Sequence, residues 1–431
     1  MRFAVYHPWV YLRGGAERIL LETLERSRHE WTVYTHHHDR DATFAGLGGP
    51  EVVELAPRVS VRRALGPIVH AARTMARAEI PDDGSQALLV SSEGLGDLLL
   101  ARAKKPAVAY CHTPLKILHD PATRQGLRDR DRAKAAVLDV LGPAFHGVDR
   151  RLWKRYDHVL VNSHEVRRRV LSSRLAPDER VEVLHPGVSA DGPDLTAEQL
   201  DSIDMLSRRQ EPLFLVAGRV LWWKNIELAI DSFRAAKAQG MPGRMVIAGQ
   251  VDEKSKTYAQ MLRHRAHGLP ITFEDDSRLW ELYREATALV FTSRNEDWGI
   301  VPIEAMSSGT PVLAVAAGGP AESILHGRTG WLLPDDVTAF ANQMHTVAVS
   351  AISRPSELIR MGEACRARAA EFTWQGFVAR LDDVMEDVAG RRAVRAPDET
   401  VLPSLPMLND DGQLIAAMSS LPASDQVLSA S

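Results

Sequence analysis

The chain has 431 residues, of which 45% are hydrophobic and 25% charged, with a formal net charge of −4. That length exceeds what one hydrophobic core fills, so two domains are expected, and the near balance of charge leaves no global field to draw nucleic acid. Cys111 and Cys365, one in each expected domain, exclude a disulfide framework; no apolar run reaches the ~20 residues of a membrane span, and the start turns polar too soon for a signal-peptide core, so the expected location is cytoplasmic, with any membrane contact peripheral.

In chain order, the first buried strand is read at Arg2–Tyr6, and helical spacing begins near Ala16. Gly14-Gly15 joins them, and glycines at such a joint let a backbone approach a ligand closely, although a tight loop alone accounts for them as well. His36-His37-His38-Asp39 is not read as a metal site, because consecutive residues point in different directions. In PAVAYCHTPLKILHDP (106–121) an apolar strand ends near His112, at the carboxyl edge where open α/β sheets bind ligands; a satisfied structural histidine is the alternative. Basic residues cluster at 124–134 and 165–174, as solvated helix faces or as contacts to an anionic membrane or lipid phosphate. Between them, HVLVN (158–162) is a strand capped into a helix by Asn162-Ser163. Periodicity is lost over 188–211, which reads as a linker.

The second half opens on a strand over 213–217 that runs into Gly218-Arg219, with a helix from about 225. Arg219 and Lys224, five apart across a strand-to-helix loop, can both reach a diphosphate, Arg as a fork and Lys as a point charge; two solvated loop cations are the alternative. A later strand over 288–291 ends just before Glu296, and a short helix over 301–308, closed by Gly309, carries Glu304. The amides of Gly299, Ile300 and Val301 are then unpaired donors at a helix start, suited to a phosphate. Carboxylates beside a phosphate repel it, so their natural partners are hydroxyls, and phosphate plus two hydroxyl-binding acids describes a sugar nucleotide. The alternative is a dipole-favouring Glu304 and a solvated Glu296. Gly318-Gly319-Pro320 opens a further helix, and the remainder is helical to about 389 before a stretch rich in Pro, Ser, Ala and Asp that reads as a disordered tail.

The string NEDWGIVPIEAMSSGTPV, followed by GGPAESI, resembles the nucleotide-sugar signature of the retaining family-4 glycosyltransferases of GT-B fold. HPWVYLRGGAERILLETL, the HTPLK segment and GRVLWWKN resemble further family motifs, in family order. The resemblance implies an α/β chain of two facing Rossmann-like domains: an acceptor-side domain over 1–187, a linker over 188–211, a nucleotide-sugar domain over 212–372, a helix crossing back over 373–390 and a tail over 391–431. It implies a donor site of Gly14, Gly15, Arg219, Lys224, Gln250, Trp298, Gly299, Ile300, Val301 and Glu304, and a catalytic set of His112, Arg219, Lys224 and Glu296, with His112 touching the donor sugar and neither metal nor cofactor required. The function implied is retaining transfer of a hexose, mannose from GDP-mannose, to a hydroxyl on a glycan, a lipid-linked sugar or a small molecule. Lys116 stands where arginine is usual and Leu118-His119 where an aromatic pair is common, departures that bear on the acceptor. The alternatives are a UDP-sugar donor, a sugar-nucleotide epimerase or a catalytically silent binding protein; the last would be expected to have lost one of Arg219, Lys224, Glu296 or Glu304.

Overall fold

The computed structural model describes residues 1–59, 65–188, 211–252, 255–391, 407–408 and 414–415. They divide into two compact units, one of 1–162, 166–183 and the residues from 379 on, the other of 163–165 and 184–378. The expected linker and tail lie outside the described residues, apart from their ends and a short antiparallel pairing of Met407–Leu408 with Leu414–Ile415.

The first unit is built on seven parallel strands, β1 (Arg2–Tyr6), β2 (Glu30–Thr35), β3 (Val52–Glu54), β4 (Leu88–Ser92), β5 (Ala107–Cys111), β6 (His158–Val161) and β7 (Val181–Val183), in the order β3-β2-β1-β4-β5-β6-β7. The second has six, β8 (Leu213–Ala217), β9 (Arg244–Ala248), β10 (Ile271–Glu274), β11 (Ala288–Phe291), β12 (Val312–Val315) and β13 (Gly330–Leu333), in the order β10-β9-β8-β11-β12-β13. Central strands such as β5 (AVAYC) and β8 (LFLVA) are apolar throughout and buried at every residue, because helices cover both faces of a parallel sheet. Each order reverses once, between β1 and β4 and between β8 and β11. Those are the switch points, where two adjacent strands send their loops apart and leave a crevice at the carboxyl edge.

Local signals start the helices. Asp336 accepts the amide of Ala339 at 2.8 Å to open the helix Val337–Ser353, and Asp120 accepts that of Thr123 at 2.9 Å to open Pro121–Arg130, whose proline costs nothing at a helix start. Val337–Ser353 packs on Ile226–Ala238 over a core containing Phe233, Phe340 and Met344, each fully buried. The helix Trp374–Gly390 starts in the second unit and continues in the first, where Asp382 accepts from the Ser27 hydroxyl at 2.6 Å and Arg380 forks onto Glu182 at 2.7 and 2.8 Å. Part of the basic stretches is internally paired: Arg124 and Arg128 share Asp139, and Arg169 is buried beside Thr113. Both cysteines are free and buried, and no helix among the described residues is long and apolar enough to cross a membrane.

Phe233 is fully buried between sheet and helix, its ring 6.3 Å from that of Phe214. Phe233→Ala should therefore destabilise the second unit by about 3 to 5 kcal/mol through the cavity left behind. The expected readout is a lower urea midpoint, with β1–β7 signals unchanged.

Candidate active site

The loops after β8 and β11 meet at the second sheet's switch point. After β8 the chain turns through Gly218, whose φ of +116° favours glycine. The neighbouring turn after β9 rides on it: a Cβ on Gly249 would lie 2.0 Å from the Gly218 carbonyl oxygen, so only glycine fits. Arg219 is exposed beyond this contact. A single turn over Trp222–Lys224 follows, and Asn225, left-handed at φ +52° and tied to Asp335 at 3.2 Å, starts the helix Ile226–Ala238.

This geometry turns the Lys224 ammonium onto Glu296: Nζ donates to Oε2 at 2.6 Å, both side chains being about four-fifths buried (21% and 22% exposed). The ammonium also lies 5.3 Å from the centroid of the Phe291 ring at the end of β11. Thr292 and Ser293, buried at the same strand end, donate their hydroxyls to the carbonyl oxygens of Lys224 and Trp223 at 3.0 and 3.5 Å, stapling the two loops together.

The loop that holds Glu296 is supported from below by glycine. A Cβ on Gly318 would sit 2.3 Å from the Glu296 carbonyl oxygen, and one on Gly319 would sit 2.3 Å from the Trp298 backbone; the Gly319 amide donates to the Glu296 carbonyl at 3.1 Å. The helix these glycines open, Pro320–Ser323, is a single turn. Gly299, at φ +84°, then begins the helix Ile300–Ser307, one residue earlier than the apolar spacing suggests, so the amides of Ile300 and Val301 have no carbonyl a turn back to bond. Glu304, one helical turn on and half-buried, accepts the Tyr283 phenol at 2.9 Å. Burial, and then the Glu304 charge, push the Tyr283 phenol well up, so it remains a donor and fixes the carboxylate's orientation.

The other expected residues fall as follows. Trp298 is 3% exposed, its ring stacked at 4.2 Å on His185 and 5.1 Å from Phe372, so its side chain is core packing and only its backbone faces the loop. Gln250, exposed, donates to Asp276 at 3.0 Å. In the first unit, Gly14 precedes the helix Gly15–Arg26, and a Cβ on Gly14 would meet Leu12 at 2.4 Å. His112 follows β5, buried, with its Nε2 at 2.8 Å from the Ser91 hydroxyl. Thus the structure brings Lys224 to Glu296 and places Arg219, Ile300, Val301 and Glu304 on the same carboxyl edge; His112, Gly14 and Gly15 belong to the other unit. Tyr283, Thr292 and Ser293 escape a sequence reading. Their one signal is polar groups next to apolar runs.

Of the consecutive histidines, His36 meets the Tyr6 hydroxyl, His37 the Val59 carbonyl and His38 the Leu47 carbonyl, three separate partners. Among the described residues, one group brings metal-type donors within 4.8 Å of one another: His164, His185 and Glu322. The Glu322 carboxylate already accepts the amides of His164 and Glu165, each at 2.8 Å, which is the work of a helix cap.

Two doubly wound parallel units, with a cation, two acids and a helix start at one switch point, are the architecture of the GT-B fold, and the matching families make the chain a glycosyltransferase. Residues 13–191 match the family described as Glycosyltransferase Family 4, and residues 201–347 match that described as Glycosyl transferases group 1; both parts of the chain are thus of glycosyltransferase families, and the chain is a hexosyltransferase. It is similar to the alpha-1,3/1,6-mannosyltransferase of Neurospora crassa, 28% identical over 432 residues that cover 86% of this chain and 88% of that protein. To the alpha-1,3/1,6-mannosyltransferase of Homo sapiens it is 28% identical over 410 residues, covering 85% of this chain and 92% of the other. Its fold is similar to that of Anabaena HepE, crystallised with UDP and glucose, at a TM-score of 0.66 and 18% identity over 90% of this chain and 99% of that one. Sucrose-phosphate synthase from Thermosynechococcus elongatus also gives 0.66, at 20% identity over 91% and 100% of the two chains.

Burial lowers the His112 pKa to about 3, with His7 adding to the effect, and lowers that of His36 to about 4. The unfolded chain takes up these protons near pH 6.5, so acid favours unfolding: the stability is fully present above pH 6.5 and is lost as pH falls through the folded values. Asp97, pushed up to about 8 by burial and the Asp149 charge, acts in the opposite sense. Comparing variants isolates the histidine. His112→Gln should lose less stability than the wild type between pH 6.5 and 4, read by chemical denaturation at each pH.

Proposed function

We propose that this glycosyltransferase moves mannose from GDP-mannose to a hydroxyl of a glycan, a lipid-linked sugar or a small molecule, with retention of the anomeric configuration. The mannosyltransferase names of its relatives and the GGAER and HTPLK segments support that donor. The observation that carries the site is the Lys224–Glu296 pair at 2.6 Å, held at a switch point beside a helix start.

In this reading the pair is a resting state. The arriving diphosphate takes the Lys224 ammonium, joins it to Arg219 and the Ile300 and Val301 amides, and releases the Glu296 carboxylate to a sugar hydroxyl. Glu304, already aimed by Tyr283, accepts the ribose hydroxyls, while Gln250 borders the base and His112 meets the sugar. Gly14 and Gly15 give the diphosphate a close backbone. With both acids committed to hydroxyls, no carboxylate is free to act as a nucleophile at the anomeric carbon. Transfer is therefore front-face: the bond from that carbon to the diphosphate breaks, the bond to the acceptor oxygen forms on the same face, and a departing phosphate oxygen takes the acceptor proton. Arg219, Lys224 and the amides neutralise the leaving charge, so no metal is required.

Lys224→Ala should lower kcat by on the order of 10², the scale of losing one preorganised charge stabiliser. Glu304→Ala should instead raise the donor KM with little change in kcat, because a ribose contact is the same in ground and transition states. Equal kcat losses in both variants would contradict this division of roles.

Incubation with a panel of nucleotide sugars, read by donor consumption, product mass and product NMR, tests the function itself. GDP-mannose should be consumed fastest and give an α-linked product. Preferential use of a UDP-sugar would overturn the donor, isomerised donor without acceptor would point to an epimerase, and a β-linked product would overturn retention.

A further inference from the structure

Beside His112 lies a chain of buried polar groups that the reaction scheme above does not use. The sheet order sets β1, β4 and β5 side by side, and their register aligns Tyr6 with Val90 and Ser92 with Cys111. His7 is therefore level with Ser91, and His112, two residues beyond Tyr110, the register partner of Ser91, lies on the same face at the carboxyl edge; all three are buried, at 6%, 1% and 7% exposure. His7 Nδ1 lies 2.9 Å from the Ser91 carbonyl oxygen and 3.1 Å from the Ser91 hydroxyl oxygen, and that hydroxyl lies 2.8 Å from His112 Nε2. The His7 and His112 rings are nearly perpendicular, with centroids 6.1 Å apart.

The proton positions follow from what each group can do. A carbonyl only accepts, so His7 Nδ1 must carry a hydrogen and donate it toward Ser91. That N–H faces the Ser91 hydroxyl oxygen as well, and the hydroxyl hydrogen, turned the other way, points at His112 Nε2, the arrangement in which the hydroxyl both accepts and donates. His112 Nε2 is then the acceptor, and the ring's one hydrogen sits on Nδ1. Two further bonds hold the backbone of His112: its amide donates to the Ser92 carbonyl at 3.1 Å, and its carbonyl accepts from Asn162 at 2.9 Å. Tyr110 packs edge-on to the ring at 5.2 Å.

We propose that Ser91 and His7 are positioning residues that hold His112 as its Nδ1–H tautomer, so that it meets the donor sugar as a neutral hydrogen-bond donor. Burial lowers the pKa of both imidazoles, opposed at His7 by the Ser91 carbonyl hydrogen bond and then the Glu93 charge and reinforced at His112 by His7, so neither ring charges near neutral pH. A neutral N–H donor suits a sugar hydroxyl, which can accept it without a charge to be compensated. The proposal rests on the reading that His112 contacts the donor sugar.

The test is long-range proton–nitrogen correlation NMR on uniformly 15N-labelled full-length protein, with His112→Gln used to assign the ring signals. His112 should show a protonated Nδ1 and a bare Nε2. Ser91→Ala should lose that pattern and lower kcat/KM by about tenfold, the value of one hydrogen bond to a neutral partner. Ser91→Thr, which keeps the hydroxyl, should restore both. A wild-type ring protonated on Nε2, or an unchanged tautomer in Ser91→Ala, would overturn the positioning role. Normal kcat/KM in Ser91→Ala together with an impaired His112→Gln would also overturn it. Normal kcat/KM in His112→Gln would instead sink the reading of His112 at the sugar, and the proposal with it.

Discussion

Everything in the second unit's site depends on an ammonium and a carboxylate held 2.6 Å apart on two different loops. Neither loop is long enough to wander, and both are tied at their roots, by the Gly218–Gly249 backbone contact on one side and by Gly318 and Gly319 under Glu296 on the other. Thr292 and Ser293 add a direct link between them. An exposed pair of this kind contributes little to stability, and one this far buried carries a desolvation cost that offsets much of its attraction. The stability gain is small, so its value lies elsewhere. It keeps a cation and an acid side by side at no net charge, and in the reading proposed above an arriving diphosphate takes the cation.

The parallel sheet explains why this happens at one place. β8 and β11 are neighbours at the point where the strand order reverses, so the loop carrying Arg219 and Lys224 and the loop carrying Glu296 open toward one another. The helix Ile300–Ser307 then starts beside them, with no carbonyl a turn back for its first amides, and Glu304 is brought back to the same edge a turn later. In the first unit the same logic aligns β1, β4 and β5, and the result is a row of neutral imidazoles and a hydroxyl. One unit concentrates charge at its switch point. The other removes it.

Much of this was legible in the chain. Apolar runs bounded by glycine and polar residues marked the strands, and the Gly-Arg to Lys and Glu to Glu spacings put those residues just past strand ends, at the carboxyl edge where the structure has them. What stayed hidden depends on register or distant packing. Tyr283 sits in an amphipathic helix 21 positions from Glu304, where it reads as core, and it is core; only its hydroxyl reaches the site. Trp298 enters the expected donor site through the family resemblance, yet its ring packs against His185 and Phe372 from distant segments. The serine at 91 is an ordinary strand residue until three strands are placed in register. The helix over Ile300–Ser307 begins one residue early because Gly299 takes a left-handed turn that spacing alone does not show.

The central claim is that the carboxyl edge between β8 and β11 binds the nucleoside diphosphate of the donor. A crystal structure of the full chain with GDP tests it most directly. The account predicts diphosphate oxygens at about 3 Å from the Ile300 and Val301 amides and the Lys224 ammonium. It also predicts the ribose hydroxyls on Glu304 and the Lys224–Glu296 contact opened. A diphosphate bound away from this edge, or bound here with Lys224 still on Glu296, would contradict it.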